Sequence, residues 1–390
     1  VKTLVIIAAG CALLACSKQE DPPTSGTREI TERHAPIVMA SASPAGMPTQ
    51  LNVADPTGLE RYERIVRNVE DCPLEGYQVV PTCPGIQMFN AGIGNTAPEL
   101  KAAVGRQMIG SGSPAVRVTA AELMTGPNGT STESQDAIAE AASREHDPGV
   151  LRAFIRVIAD DGARNPRVAS VLLAAADHVD QEVRLQAVYA LTSATNRGMH
   201  GAAAKLIALA ESDREPKVRH AACEYSGKLG SDELLPLYEK LTSTTADPEL
   251  YSACMEGLVR MFHNHPVFDT ANEQAYRLFL RRLDDKPRTE HSPPWNVMST
   301  FCYYSHESDL AKLAAWKQQA TWFDPTEVKR VMAHVIADKT ANWMARAAAV
   351  ESMVGLGATK LELAALKRGY LPGDRKDKPV LDKIASAIAE

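Results

Sequence analysis

The sequence predicts an all-α fold, an α-solenoid of helical hairpins behind a disordered N-terminal tether. Three observations predict it: one helix–turn–helix unit complete within Asp213–Leu241, recurrence of that unit's key residues at a near-constant interval, and scarce strand patterns. In DREPKVRHAACEYSGKLGSDELLPLYEKL, Glu215 and Pro216 open a helix, because proline's fixed φ suits the first turn and its missing N–H is not needed there. Val218, Ala221, Ala222 and Tyr225 recur at intervals of three and four and share a face, while Arg219, Glu224 and Lys228 point elsewhere. Leu229 and Gly230 close this helix. Ser231 is expected to cap a second, whose Leu234, Leu237, Tyr238 and Leu241 form another apolar face. Two such helices cannot bury both faces on each other, so the unit requires a neighbour on each side and makes sense as one member of a stack.

The template Pro216, Val218, Arg219 and Ala222 is matched by Pro114, Val116, Arg117 and Ala120, and by Val183, Arg184 and Ala187. Two units depart at the arginine: one keeps Pro148 and Val150 with Leu151 there, the other keeps Pro248 and Leu250 with Tyr251. Ala345, Arg346, Ala349, Leu356 and Gly357 match again near the end. The anchors at 116, 150, 183, 218 and 250 are separated by 34, 33, 35 and 32 residues, close to one hairpin per step. The pattern resembles the HEAT-like repeats of the short bacterial type, in which a D-P-x-V-R-x-A-A helix ends in L-G and an L-x-P-L-L-type helix follows. It covers roughly residues 96–390 and is closest at 213–241. The resemblance implies a scaffold or binding surface, which most members are, a few being subunits of pigment-attaching lyases. It also implies that Arg117, Arg184, Arg219 and Arg346 form a structural ladder of hydrogen bonds between neighbouring repeats, the other reading being a row presented to an acidic partner.

Before the repeats, Val1 and Lys2 precede a thirteen-residue apolar run, Thr3–Ala15. A bilayer-spanning helix needs about 20 residues, so residues 1–15 read as a secretory signal. Leu13-Leu14-Ala15-Cys16 resembles a bacterial lipobox, which implies that Cys16 becomes the lipidated, palmitate-bearing first residue and holds the chain to a membrane. Ala8-Ala9-Gly10-Cys11 is a second candidate, but it would leave the apolar ALLA behind. Ser17 after the cysteine implies the outer membrane, with the chain facing the periplasm. Residues 16–58 are rich in Pro, Ser, Thr and Gly and bury too little apolar surface to offset ordering, as expected of a flexible tether. Residues 59–95 form an N-terminal cap segment and 96–390 the solenoid.

Cysteine usage agrees with export. Cys72 and Cys83 flank the Pro/Gly-containing loop CPLEGYQVVPTC, after a helix predicted over 59–69, and a disulfide closing it in an oxidising compartment contributes about 2–4 kcal/mol. Cys223 and Cys254 fall on the small-residue faces of successive repeats and read as buried free thiols that pack as small hydrophobes, a bridge between them being the alternative.

Helix starts follow from punctuation. Thr96 with Glu99 and Thr132 with Gln135 read as capping boxes, and Asp147-Pro148, Asp247-Pro248 and Asp324-Pro325 each read as an N-cap followed by proline. A strand is expected only over Tyr77–Val80, and a last helix over Val380–Ala389. Between 264 and 323 the period blurs into an irregular segment rich in aromatics, including Trp295, Tyr303, Tyr304, Trp316, Trp322 and Phe323; with Trp343 these are expected to fill a wider core.

The chain carries 42 Lys and Arg against 48 Asp and Glu, a formal charge of −6, with no basic stripe to neutralise phosphates, which disfavours nucleic acid as a partner. His263-Asn264-His265, with His291 or Asp269, has no zinc-site spacing, and the histidines read as exposed loop residues. Cys302 and His306 stand four apart, but a nucleophile also needs an orienter and an oxyanion site, and neither is recognisable nearby. The sequence therefore predicts no catalytic residue, no metal and no cofactor. It predicts a lipid-anchored envelope scaffold that binds a protein or peptide through a solenoid face; the alternative is an envelope enzyme or accessory subunit, lyase-like or hydrolytic, with a site in 264–323.

Overall fold

The computed structural model describes residues 56–94, 96–126, 129–264, 267–285, 310–370 and 377–389. They fall into two compact units, divided between Lys205 and Leu206. In the first, α1 (Pro56–Arg67) and α2 (Pro84–Ile93) flank an antiparallel hairpin of β1 (Leu74–Glu75) and β2 (Gln78–Val79), with Leu74 opposite Val79. There follow α3 (Pro98–Met108), α4 (Pro114–Leu123), a second short hairpin of β3 (Thr125–Gly126) and β4 (Gly129–Thr130), α5 (Thr132–Ala142), α6 (Pro148–Val157), α7 (Pro166–Ala175) and α8 (Gln181–Leu191). Helices α4, α6 and α8 pack side by side as one layer, called A; α3, α5 and α7 form the other, B. Their core holds Val116, Ala120, Phe154, Leu172, Val183 and Ala187, all without exposed surface. Each such Val, Leu or Phe contributes about 1.5–3 kcal/mol on leaving water.

Helix α9 (Ala202–Ser212) carries the chain into the second unit. Its A layer has α10 (Pro216–Ser226) beside α12 (Pro248–Phe262), and later α16 (Trp343–Gly355) beside α18 (Lys378–Ala389). Its B layer runs through α11 (Leu235–Thr244), α13 (Glu273–Asp285), α15 (Pro325–Ala337) and α17 (Lys360–Lys367). Helix α14 (Leu310–Gln319) delivers Trp316, fully buried, whose indole N–H donates to the Phe262 carbonyl at 2.7 Å.

The helix starts obey cap chemistry, with corrections to the expected residues. Asp147, Asp247 and Asp324 each accept from first-turn amides ahead of a proline, Asn165 does likewise, and Asp180 accepts from the Glu182 and Val183 amides ahead of Gln181. Thr96 caps nothing: α3 begins at Pro98 after Ala97, since a proline at the first helical position sets the boundary and keeps the residue before it extended. Ser131, not Thr132, caps α5, and Gln135 turns back to donate to the Thr130 carbonyl. Ser231 makes no side-chain cap bond and precedes a single 3-10 turn, Asp232–Leu234. A complete capping box lies instead at Thr359 and Glu362. The expected helix over 59–69 is α1, and the strand over 77–80 contracts to β2.

Candidate interaction surface

The recurring arginines share one geometry. Arg117 Nη1 donates to the carbonyls of Ser111 at 2.9 Å and Gly112 at 3.1 Å. Arg184 Nη1 does the same to His178 and Val179, and Arg219 Nη1 to Asp213 and Arg214, always six and five residues back. Each guanidinium thus closes the loop that enters its own helix. Three also meet an acid 28–31 residues on, at the entrance to a later A helix. Arg117 forms a two-bond pair with Glu145, at 2.8 and 3.0 Å, whose carboxylate also accepts from the His146 and Asp147 amides. Arg219 approaches Asp247 at 4.0 Å. Arg346, 3% exposed, donates to the Ala341 carbonyl and to Asp377 at 2.6 Å. Asp377 also takes Lys339, and these two cations hold its carboxyl below the usual range against the opposing effect of burial.

Cys72 and Cys83 are disulfide-bonded, and so are Cys223 and Cys254, which corrects the reading of the latter as free thiols. The second bridge joins α10 to α12 where their backbones touch: a Cβ on Gly227 would lie 1.9 Å from the Gly257 carbonyl oxygen, and one on Gly257 2.4 Å from that of Cys223. Two helices this close bring small side chains within bonding reach. Tyr238, fully buried, seals the junction by donating to the Cys223 carbonyl at 3.0 Å beside Ser226, and burial pushes its phenol well above the ordinary value.

The B layers are laced with ion pairs between successive repeats. In the first unit Arg167 meets Asp136 and Lys205 meets Asp177. In the second, Lys240 meets Glu211, Arg281 meets Glu239, Arg330 meets Asp284 and Lys329 meets Glu362. Between α11 and α13 lies a groove of about 330 Å³, lined by Leu235, Glu239, Glu273, Gln274, Arg277, Leu278 and Arg281. Arg277 joins Glu273 at 3.5 Å and Glu327 at 2.9 Å.

His263 is 1% exposed, against the expectation of a surface loop. Helix α12 runs fifteen residues and carries it into an aromatic cluster, with ring centroids 4.8 Å from Phe268 and 5.0 Å from Trp316. Trp322 and Phe323 pack on Tyr276 and Trp316, whereas Trp343 is 45% exposed and outside that core. Among the described residues no group of three or more His, Cys, Asp or Glu could hold a metal ion. No described helix is long and apolar enough to cross a membrane. Cys11, Cys16, His265, His291, Trp295, Cys302, Tyr303, Tyr304 and His306 lie outside the described residues.

Paired helices stacked in two layers, with the same arginine clamp returning at α4, α8 and α10, define a helical repeat protein of the α-solenoid class. The family model for HEAT repeats matches residues 103–192 and 169–258, so the chain carries HEAT-like repeats. No curated protein matches the sequence. Among solved structures, the chain is similar to an engineered protein, at 11% identity over 87% of this chain and 97% of that one, with a TM-score of 0.32. It is also similar to a structure of tubulin recruitment and assembly by microtubule polymerases with tumor overexpressed gene (TOG) domain arrays. That match has 12% identity over 84% of this chain and 74% of that one, with a TM-score of 0.23.

Proposed function

We propose that this chain is a non-enzymatic scaffold of the bacterial cell envelope, anchored by lipid at Cys16 to the outer membrane facing the periplasm, and that its B layer receives a protein or peptide. The groove between α11 and α13 carries the binding reading. Its apolar lining is Leu235 and Leu278, and its rim is made of the Glu239–Arg281 and Glu273–Arg277 pairs. Exposed ion pairs of this kind contribute only about 0–1 kcal/mol to folding, so a partner's charges can replace them at little cost. A repeat stack offers such grooves at regular steps, which suits an extended ligand. Two disulfides suit an oxidising compartment, as the lipobox-like LLAC does.

The experiment is site-specific photo-crosslinking in intact cells, with the reactive residue at Gln274 in the groove or at Lys217, exposed at the start of α10. A discrete adduct from position 274 and none from 217 supports the proposal. No adduct from 274, or equal adducts from both, contradicts it.

A further inference from the structure

In the first unit the β1–β2 hairpin lies across the start of α6. Gly76, with φ of 63°, is the first of the two turn residues, the position where a two-residue hairpin loop requires positive φ. Its carbonyl oxygen would lie 2.5 Å from a Cβ on Gly149, so hairpin and helix meet backbone to backbone. Next to it, the Tyr77 ring covers two guanidiniums one helical turn apart, Arg152 at 5.0 Å and Arg156 at 5.5 Å. Arg156 also donates to Glu122 at 2.6 Å, and Arg152 comes within 3.8 Å of Glu182. The Nε of each arginine is buried without a hydrogen-bond partner. A ring face attracts a cation but accepts no hydrogen bond as a carboxylate or water would, so the cover compensates these groups only in part.

The hairpin has little else to hold it. Each strand has two residues, such ribbons are marginal alone, and of Leu74–Val79 only Val79 is buried. The Cys72–Cys83 bond closes the segment, and Ser113 Oγ ties its near end by donating to the Glu70 carbonyl at 2.7 Å. The two disulfides differ in access: Cys223 and Cys254 have no exposed surface, whereas Cys83 is only half-buried.

We propose that the segment Cys72–Cys83 is a redox-sensitive strap that covers the Arg152–Arg156 pair while its disulfide is intact and uncovers it on reduction by a dithiol. The reductant's thiolate attacks Cys83 Sγ, and Cys72 leaves as a thiolate. The reductant's second thiol then displaces Cys83, so the reductant departs as a disulfide and the two cysteines have gained two electrons and two protons. Without the closed loop, the hairpin keeps only the approach of Gly76 to Gly149, the Tyr77 ring over α6 and the packing of β2 on α4, and opens locally while the repeats stay folded.

The test is arginine labelling of the full chain by phenylglyoxal, read by peptide mass spectrometry, before and after mild dithiothreitol treatment; the Cys72→Ser/Cys83→Ser variant serves as the reduced state should the bond resist. Arg152 and Arg156 are expected to label several-fold faster once Cys72 and Cys83 are open. Arg167, 68% exposed, and Arg117, held in its loop clamp, should be unchanged. Tyr77→Ala should raise labelling of the pair with the disulfide intact. Unchanged labelling of Arg152 and Arg156 with both cysteines free overturns the strap, as does a simultaneous rise at Arg117, which would mean that the unit had unfolded.

Discussion

At the scale of single residues, the clamping arginines are distinguished by what would be left behind if they were removed. Arg346→Ala removes one of the two cations that hold Asp377, a buried carboxylate left with Lys339 alone, and is expected to destabilise by about 3 kcal/mol, read from the chemical denaturation midpoint. Arg219→Ala frees two loop carbonyls near solvent and loses only a 4.0 Å approach to Asp247, so about 1–2 kcal/mol is expected. Equal losses at both sites would refute the distinction. Glu362 gives a pH signature. The Thr359 amide first and Lys329 second pull its carboxyl down from 4.5 to about 2. A carboxylate favoured by the folded state contributes stability that is fully present above 4.5 and is lost as pH falls towards 2. Glu362→Gln should flatten the acid limb of a stability–pH curve between those values, and an unaltered limb would refute the assignment. The arginines were legible in the sequence because they repeat. Their acids were not, since Glu145, Asp247 and Asp377 fall in loops of differing length before the next helix; the usable signal is an Asp or Glu 28–31 residues after Arg117, Arg219 and Arg346.

At the scale of elements, the α10–α12 junction is the most tightly specified contact. Its disulfide closes 31 residues, and Cys223→Ser/Cys254→Ser is expected to lower stability by about 2–4 kcal/mol in thermal unfolding. Gly257→Ala, which would force a methyl against the Cys223 carbonyl and the Tyr238 hydroxyl, should cost about 1–3 kcal/mol, and wild-type stability in that variant would mean that the helices are not in backbone contact. Helix pairs were readable from the 32–35-residue interval and the Asp-Pro starts. The caps at Thr96 and Thr132 were misread because a nearby proline or serine competes for the same boundary. The Cys223–Cys254 bridge, the alternative to two free thiols, is favoured by spacing: two cysteines nearly one repeat apart sit on neighbouring A helices at almost the same height. His263 looked like a loop residue because the partners that bury it include Trp316, 53 positions away in sequence. The groove between α11 and α13 had no local signature, since its lining comes from two helices separated by all of α12.

At the scale of the whole molecule, the proposed envelope scaffold requires lipid at Cys16. Mass spectrometry of the N-terminal peptide from membrane-purified protein should find a diacylated Cys16; an unmodified N-terminus elsewhere, or lipid on Cys11, would contradict that part. The central claim is that function resides on the B-layer face and not in a catalytic centre. The most direct measurement compares partner capture by the full chain with and without Arg277→Glu/Arg281→Glu, together with both melting temperatures. The reversal breaks the exposed pairs to Glu239, Glu273 and Glu327 and sets like charges beside them, at about 0–1 kcal/mol for each pair, so lost capture is predicted with a melting temperature lowered by only a few degrees and a chain that still unfolds cooperatively. Undiminished capture by the charge-reversed chain, or a hydrolytic or transferase activity abolished by replacing Cys302 or His306 alone, would contradict it.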